Sequence, residues 1–219
     1  MQICPSILEP TTDGLFFQIN KLSLYIKYFQ IDIADGIFVP NKTVQIEDII
    51  KNYNQFNNYQ SLSFDFHLMV AGFEKDIIKI NQLNKLINIK NIFIHYSAIK
   101  NFKMKISNLS SIPIGLTLNP EDQITDLIKH YPLNSITTIQ IMSVIPGVQG
   151  NPFLPDMLNK IEQLRVLGYR NKIFLDGAVN DKTLPIINKL KYKPDVICPG
   201  SFLTKAKDLE KNVKYLNRL

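Results

Sequence analysis

The chain has 219 residues, of which 45% are hydrophobic and 20% are charged, and its net charge is +6. This length and composition are typical of a soluble globular protein, and we expect one domain over residues 1–219. Because the Lys and Arg residues are scattered rather than clustered, the charge predicts a mildly basic surface and argues against nucleic acid as a partner.

Cys4 and Cys198 are the only two cysteines, and both lie inside apolar runs. We expect buried free thiols rather than a disulfide or a Cys-based metal site. The first residues lack the basic and apolar stretches of a signal peptide, and no apolar run is long enough to cross a bilayer. These features predict a cytoplasmic protein with no membrane partner.

Strand-like and helix-like segments alternate along the whole chain. The strand-like segments are short and almost continuously apolar, as in a parallel sheet covered on both faces. They cover residues 3–8, 28–33, 62–69, 91–96, 112–118, 138–144, 172–175 and 196–199. The helix-like segments cover residues 15–25, 46–53, 73–86, 102–109, 123–131, 155–167, 184–191 and 208–219. Eight such units predict an α/β fold with a single (β/α)₈ TIM barrel, and periodicity alone leaves a doubly wound open sheet as the alternative.

Polar side chains lie at the carboxyl ends of these strands, where a barrel builds its active site. Asp32 and Asp176 end the second and seventh strands, and His67 lies near the end of the third, two residues after Asp65. If the fold brings the two end aspartates together, they form a facing pair of proton-transfer groups. Two carboxylates, an imidazole and a nearby oxygen donor also suit a divalent metal such as Zn²⁺, Fe²⁺ or Mn²⁺.

Glycines cluster in the loops after the last three strands, at Gly147, Gly150, Gly177 and Gly200, which precedes Ser201. Glycine turns let backbone N–H groups approach an anion, and these loops are the usual phosphate cradle of such barrels. Tight turns that serve only the fold also favour glycine. Both interpretations stand at this point.

Seven blocks of the chain, in order, closely resemble the ribulose-phosphate 3-epimerase family. They cover residues 4–8, 32–41, 65–70, 115–120, 142–147, 175–179 and 199–201. Seven blocks in family order over essentially the whole chain are far more specific than any one of them.

The resemblance implies a barrel enzyme of the pentose phosphate pathway that interconverts D-ribulose 5-phosphate and D-xylulose 5-phosphate. It implies that Asp32 and Asp176 exchange the C3 proton through an enediolate, and that Asp32, His67 and Asp176 bind a divalent metal. The substrate-binding positions that it implies are Ser6, His67, Met69, Met142, Gly147, Gly150, Gly177, Ala178, Gly200 and Ser201. By the same analogy we expect a homo-oligomer.

The chain departs from the family pattern around the expected metal and pocket. A family His two residues before the first catalytic Asp is Gln30 here, and an amide oxygen is a poorer donor than imidazole. We include Gln30 as a fourth metal ligand. The other departures are Ala34, Ile37, Ser97 and Ala178, which stand for Met, His, Glu and Gly of the family pattern.

Three hypotheses therefore stand. We favour a metal-assisted epimerase of the pentose phosphate. The alternatives are a 3-epimerase of another ketose phosphate, such as a hexulose 6-phosphate, or a phosphosugar-binding relative with little catalysis. A decarboxylase or an aldolase is less expected, because no Lys lies at the carboxyl end of a predicted strand.

Overall fold

The computed structural model describes residues 1–99 and 108–218. The strands are β1 (Gln2–Ile3), β2 (Ser6–Ile7), β3 (Tyr28–Ala34), β4 (Ser63–Met69), β5 (Asn88–His95), β6 (Ile114–Leu118), β7 (Thr138–Met142), β8 (Lys172–Asp176) and β9 (Val196–Cys198). The helices are α1 (Thr12–Leu22), α2 (Ile46–Asn52), α3 (Glu74–Leu83), α4 (Ile124–His130), α5 (Leu158–Val166), α6 (Leu184–Ile187), α7 (Ser201–Thr204) and α8 (Leu209–Leu216).

The strands are parallel and close into a barrel through a divided first strand. The sheet order is β1-β9-β8-β7-β6-β5-β4-β3-β2, so its two edges are β1 and β2, which are consecutive in the chain. Pro5 lies between them and has no amide hydrogen for a ladder. The preceding Cys4 N–H donates to Ile197 O (3.0 Å), and Pro5 O accepts from Gln30 N–H (2.8 Å). The segment that contains β1 and β2 therefore hydrogen-bonds to β9 on one side and to β3 on the other, which closes the sheet. This closure confirms the predicted barrel and excludes the open sheet.

Most predicted helices are found, with shifted ends. The helix predicted over residues 102–109 falls largely outside the described residues. Pro155–Met157 is a 3₁₀ turn that leads into α5 rather than its first α-helical turn. Helix α7 was not predicted, because four residues are too few to show an apolar period. None of the described helices combines the length and apolar character that crossing a membrane would need.

An apolar cluster fills the barrel interior below the polar strand ends. It contains Cys4, Tyr28, Phe93, Phe174, Val196 and Cys198, and the rings of Phe93 and Phe174 meet edge to face with centroids 4.9 Å apart. Phe174 precedes Asp176 by two residues, so both side chains point into the barrel. The polar groups near the strand ends therefore lie above a packed, apolar floor.

Gly115 of β6 lies where the floor has no room for a side chain. A Cβ at this position would lie 2.2 Å from Thr138 Oγ1 and 2.7 Å from Phe93 Cε1. We predict that Gly115→Ala lowers the free energy of unfolding by about 1–3 kcal/mol, the usual cost of overpacking a core. Urea unfolding would measure the change. Gly72→Ala is the matched control, because its Cβ would meet only Glu74 Oε2, at 4.0 Å.

An equal effect of the two substitutions would contradict this account of the floor.

Asp65 is buried in the barrel but forms contacts away from the candidate site. Its Oδ2 accepts from the Tyr28 hydroxyl, and its Oδ1 accepts from Asn91 Nδ2 at 2.8 Å. Burial raises the pKa of Asp65 to about 7, although both hydrogen bonds oppose the rise. Folding therefore favours the protonated carboxyl of Asp65.

This raised pKa predicts a pH dependence of stability. Below about pH 4 the Asp65 carboxyl is protonated in both the folded and the unfolded chain. As the pH rises from about 4 to 7 the unfolded chain ionises first, so the free energy of unfolding falls by about 1.4 kcal/mol per pH unit. Asp65→Asn should remove this component, so that the variant gains stability relative to the parent as the pH rises. Urea unfolding at several pH values would test it, and a constant difference between the two proteins would refute it.

Candidate active site

Two carboxylates and an imidazole meet at the carboxyl ends of β3, β4 and β8. Asp32, His67 and Asp176 are all buried, and one oxygen or nitrogen atom of each lies within 4.8 Å of the others. His67 Nδ1 is 3.0 Å from Asp32 Oδ1 and 3.8 Å from Asp176 Oδ2. Asp32 and His67 are register partners on adjacent strands, and closure of the barrel places Asp176 beside them. The fold thus brings together the two aspartates that are 144 positions apart in the chain (176 − 32).

The environment of Asp176 favours a proton on this carboxyl. Burial raises the pKa of Asp176, and the negative charge of Asp32 raises it further. His67 and hydrogen bonds from Gln30 and Ser6 act in the opposite direction. A carboxyl with a raised pKa beside a second carboxylate suits proton transfer, because such a pair can hold a proton to give as well as a base to receive one.

Gln30 lies beneath the pocket and joins the two carboxylates. Its Nε2 donates to Asp176 Oδ2 at 2.6 Å and to Asp32 Oδ1 at 3.2 Å, while its Oε1 lies 3.9 Å from Cys198 Sγ. In this orientation the amide nitrogen, which has no lone pair for a cation, faces the cluster. Gln30 could act as a metal ligand only after its amide turned to present Oε1.

The donor set of the other three residues fits a divalent metal. Two carboxylate oxygens and one imidazole nitrogen are common ligands of such ions in proteins. Within residues 1–99 and 108–218, the three side chains form the group of acidic, His or Cys residues that could hold a metal ion.

Two further side chains contact this cluster and were not assigned a role from the sequence. Gln140 Nε2 lies 3.3 Å from Asp176 Oδ2, and His95 Nε2 lies 2.9 Å from His67 Nε2. Burial lowers the pKa of His95 well below its usual range, and the proximity of His67 lowers it further, so the ring is neutral. The sequence could have indicated both residues, because Gln140 and His95 lie on predicted strands and each is two residues from another side chain that points into the barrel.

A pocket of about 170 Å³ opens above the cluster. Its lining includes both aspartates and every residue predicted to bind the substrate: Ser6, His67, Met69, Met142, Gly147, Gly150, Gly177, Ala178, Gly200 and Ser201. Gln30 is not part of this lining, because its side chain is fully buried below it. The late glycine loops thus form one wall of the same pocket that the carboxylates face.

The turn after β8 illustrates why these loops favour glycine. Gly177 has φ +115°, and a Cβ there would lie 2.9 Å from the backbone nitrogen of Val144. Ala178 has φ +50°, a left-handed conformation that costs a residue with a Cβ free energy. The fold alone therefore accounts for glycine at position 177, and the pocket lining is a separate reason to consider these loops as an anion cradle.

Comparisons with known proteins agree with this architecture. A sequence profile of the ribulose-phosphate 3-epimerase family matches residues 2–203. The ribulose-phosphate 3-epimerase of Methanocaldococcus jannaschii is 31% identical, with 99% of this chain and 89% of the relative covered. That of Helicobacter pylori strain J99 is 30% identical, with 95% and 93% covered.

A mutant tryptophan synthase alpha-subunit from Pyrococcus furiosus superposes with a TM-score of 0.70 at 14% identity, covering 100% of this chain and 98% of its own, which supports the barrel fold alone. The family profile and the two relatives extend over almost the whole chain, and they confirm the resemblance found in the sequence. This protein belongs to the ribulose-phosphate 3-epimerase family, a family of isomerases.

Proposed function

We propose that this protein interconverts D-ribulose 5-phosphate and D-xylulose 5-phosphate. The observation that supports it best is that Asp32 and Asp176 both face one pocket from different strands of a chain that belongs to this family. We further propose that residues 1–219 act as one catalytic domain in the pentose phosphate pathway. A cytoplasmic location and a homo-oligomeric state stay predictions.

The chemical step is inversion at C3, next to the C2 ketone. One aspartate takes the C3 proton, and the electron pair of the C–H bond moves toward the C2 carbonyl to form an enediolate. The other aspartate donates a proton to C3 from the opposite face. The carbon then has the opposite configuration, and the pair as a whole again holds one proton, so the reaction is reversible. The raised pKa of Asp176 supports a protonated member of the pair near neutral pH.

Gln140 orients the pair for this step, and Gln30 does so while its Nε2 faces the carboxylates. Gln30 Nε2 bonds both carboxylates, and Gln140 Nε2 contacts Asp176 Oδ2 at 3.3 Å. Side chains held by buried hydrogen bonds lose little freedom when the substrate binds, which favours proton transfer over a fixed path.

The enediolate needs stabilisation of its negative charge. We propose that Asp32, His67 and Asp176 hold a divalent metal (Zn²⁺, Fe²⁺ or Mn²⁺), with Gln30 as a fourth ligand when its amide turns. When bound, this cation would supply positive charge to the developing enediolate oxygens. Ser6 and the side chains of Met69 and Met142 would contact the sugar and keep water from it.

The phosphate group would lie against the loops after β7, β8 and β9. We propose that backbone groups of Gly147, Gly150, Gly177, Ala178, Gly200 and Ser201 hold it, which the shared pocket lining supports. Ala178 already has a positive φ, so the extra methyl group changes the shape of the cradle without requiring a different turn.

We predict that Asp176→Asn lowers the rate at which D-xylulose 5-phosphate forms from D-ribulose 5-phosphate by about 10²- to 10⁴-fold, because an amide cannot transfer the proton. The measurement is proton NMR of D-ribulose 5-phosphate with the protein in D₂O. Asp65→Asn is the matched control, since it makes the same change at another buried barrel aspartate that lies outside the pocket lining. The control should keep the parent rate.

Formation of D-xylulose 5-phosphate at the parent rate by Asp176→Asn would contradict the two-aspartate mechanism, whereas C3 exchange alone would not, because Asp32 could still exchange the proton on its own face. If the unaltered protein exchanges no C3 proton of D-ribulose 5-phosphate with any added metal, the pentose phosphate assignment is wrong. The same assay with a hexulose 6-phosphate would then separate a different epimerase from a protein that only binds phosphosugars.

Metal dependence gives a further prediction. Chelation with EDTA should slow C3 exchange, and added Zn²⁺, Fe²⁺ or Mn²⁺ should restore it. Gln30→His should bind Co²⁺ more tightly than the unaltered protein in competition with a chelator, because imidazole is the better donor. Equal affinity of the two proteins would show that residue 30 is not a ligand, and full exchange with EDTA would show that the metal is dispensable.

A further inference from the structure

A buried row of three side chains leads from the candidate metal site into the wall of the barrel. His67 Nδ1 faces Asp32 Oδ1 at 3.0 Å, and His67 Nε2 meets His95 Nε2 at 2.9 Å. The side chain of Asn119, the residue after β6, lies beyond His95 and acts to raise its pKa, as an acceptor of a hydrogen bond from the ring does. Among the contacts of the described residues, His95 reaches the two aspartates through His67.

Asn119 is held on three sides. Its N–H donates to Asp122 Oδ2 at 2.8 Å, its carbonyl oxygen accepts from Lys160 Nζ at 2.6 Å, and its Nδ2 donates to Ser97 Oγ at 2.9 Å. Nδ2 has a second hydrogen, but if that hydrogen pointed at His95, the buried Oδ1 would be left without a partner among the described residues, so Oδ1 is the atom assigned to His95. This oxygen can only accept a hydrogen bond.

Two buried atoms of this row have no well-aligned hydrogen-bond partner among the residues that the structure describes. They are His95 Nδ1 and Asn119 Oδ1. Buried polar atoms are nearly always paired, and a proton on His95 Nδ1 directed at Asn119 Oδ1 satisfies both at once. His95 is fully buried, which disfavours a second proton on its ring, so its Nε2 is then bare and can only accept.

The 2.9 Å contact between the two Nε2 atoms needs one donor and one acceptor. If His95 Nε2 accepts, His67 Nε2 must carry the donated proton. The second nitrogen of His67, Nδ1, is then the one that faces Asp32 and Asp176, and its lone pair is the one available to a cation.

We propose that His95, oriented by Asn119, is a positioning residue that accepts a hydrogen bond from His67 Nε2–H and thereby keeps His67 Nδ1 directed at the two aspartates. The proposal depends on the proposed function in one respect, which is that it takes His67 Nδ1 to be a metal ligand. The tautomers themselves follow from these contacts and from the burial of His95.

Nitrogen NMR of the metal-free protein tests the tautomers directly. The chain has three histidines, so a long-range ¹H–¹⁵N spectrum contains three ring systems, which single substitutions assign. We expect a proton on Nδ1 and a bare Nε2 for His95, and a protonated Nε2 for His67. After Zn²⁺ is added, His67 should keep its Nε2 proton and show a ligated Nδ1. A proton on His95 Nε2 would overturn the proposal.

Two substitutions at position 95 test the consequence for metal binding. His95→Phe keeps a ring beside Phe38, whose centroid lies 4.7 Å from that of His95, but offers no acceptor. It should bind Co²⁺ about 10- to 100-fold more weakly, as with other losses of a group that orients a ligand. His95→Gln retains an acceptor oxygen and should recover most of the affinity.

His130→Gln is the matched control, since His130 lies on α4 and contacts the Tyr96 hydroxyl rather than the cluster. Its Co²⁺ affinity should equal that of the unaltered protein. Unchanged affinity in His95→Phe, or equal losses in His95→Phe and His95→Gln, would overturn the proposal. If the unaltered protein neither binds Co²⁺ nor exchanges the C3 proton, the proposed function fails, and the tautomers in the NMR spectrum still decide the role of His95.

Discussion

The arrangement of this site depends on keeping two carboxylates close together inside a protein. Burying like charges side by side is costly, and the free energy must be recovered from hydrogen bonds and nearby positive charge. Gln30, Gln140, His67 and Ser6 supply those interactions for Asp176, and Gln30 and His67 supply them for Asp32. The same compensation places hydrogen-bond donors around the point where a sugar carbon would lose its proton.

Barrel closure is what makes this compensation possible. Because Pro5 divides the first strand, β1 bonds to β9 while β2 bonds to β3, and Ser6 comes within 3.4 Å of Asp176 Oδ1. The seam of the barrel thus lies directly beside the second aspartate. A packed floor that contains Phe93 and Phe174 supports the polar layer from below and limits how far its side chains can move.

Gln30 shows how a chain of this family can differ around the same two aspartates. The amide of Gln30 reduces the repulsion between the two carboxylates by hydrogen bonding to both, in a place where an imidazole could bind a cation directly. His95 in turn restricts the ring of His67 from the other side. A cation held by Asp32, His67 and Asp176 would have a poorer donor at position 30, which would make the orientation of the His67 ring more important.

The sequence by itself determined the alternation of strands and helices, the strand-end positions of Asp32, His67 and Asp176, and the glycines of the late loops. These features are local: a buried strand is a short apolar run, and the residue that ends it is read from the chain. Only the tertiary structure decided that the first strand is divided, that Asp65 bonds Tyr28 rather than the substrate pocket, and that the amide nitrogen of Gln30 faces the carboxylates. It also decided that His95 contacts His67. Strand alternation tells which side chains point into a barrel, but the partner and hydrogen-bond orientation of each depend on strands that are distant in sequence and meet only when the barrel closes.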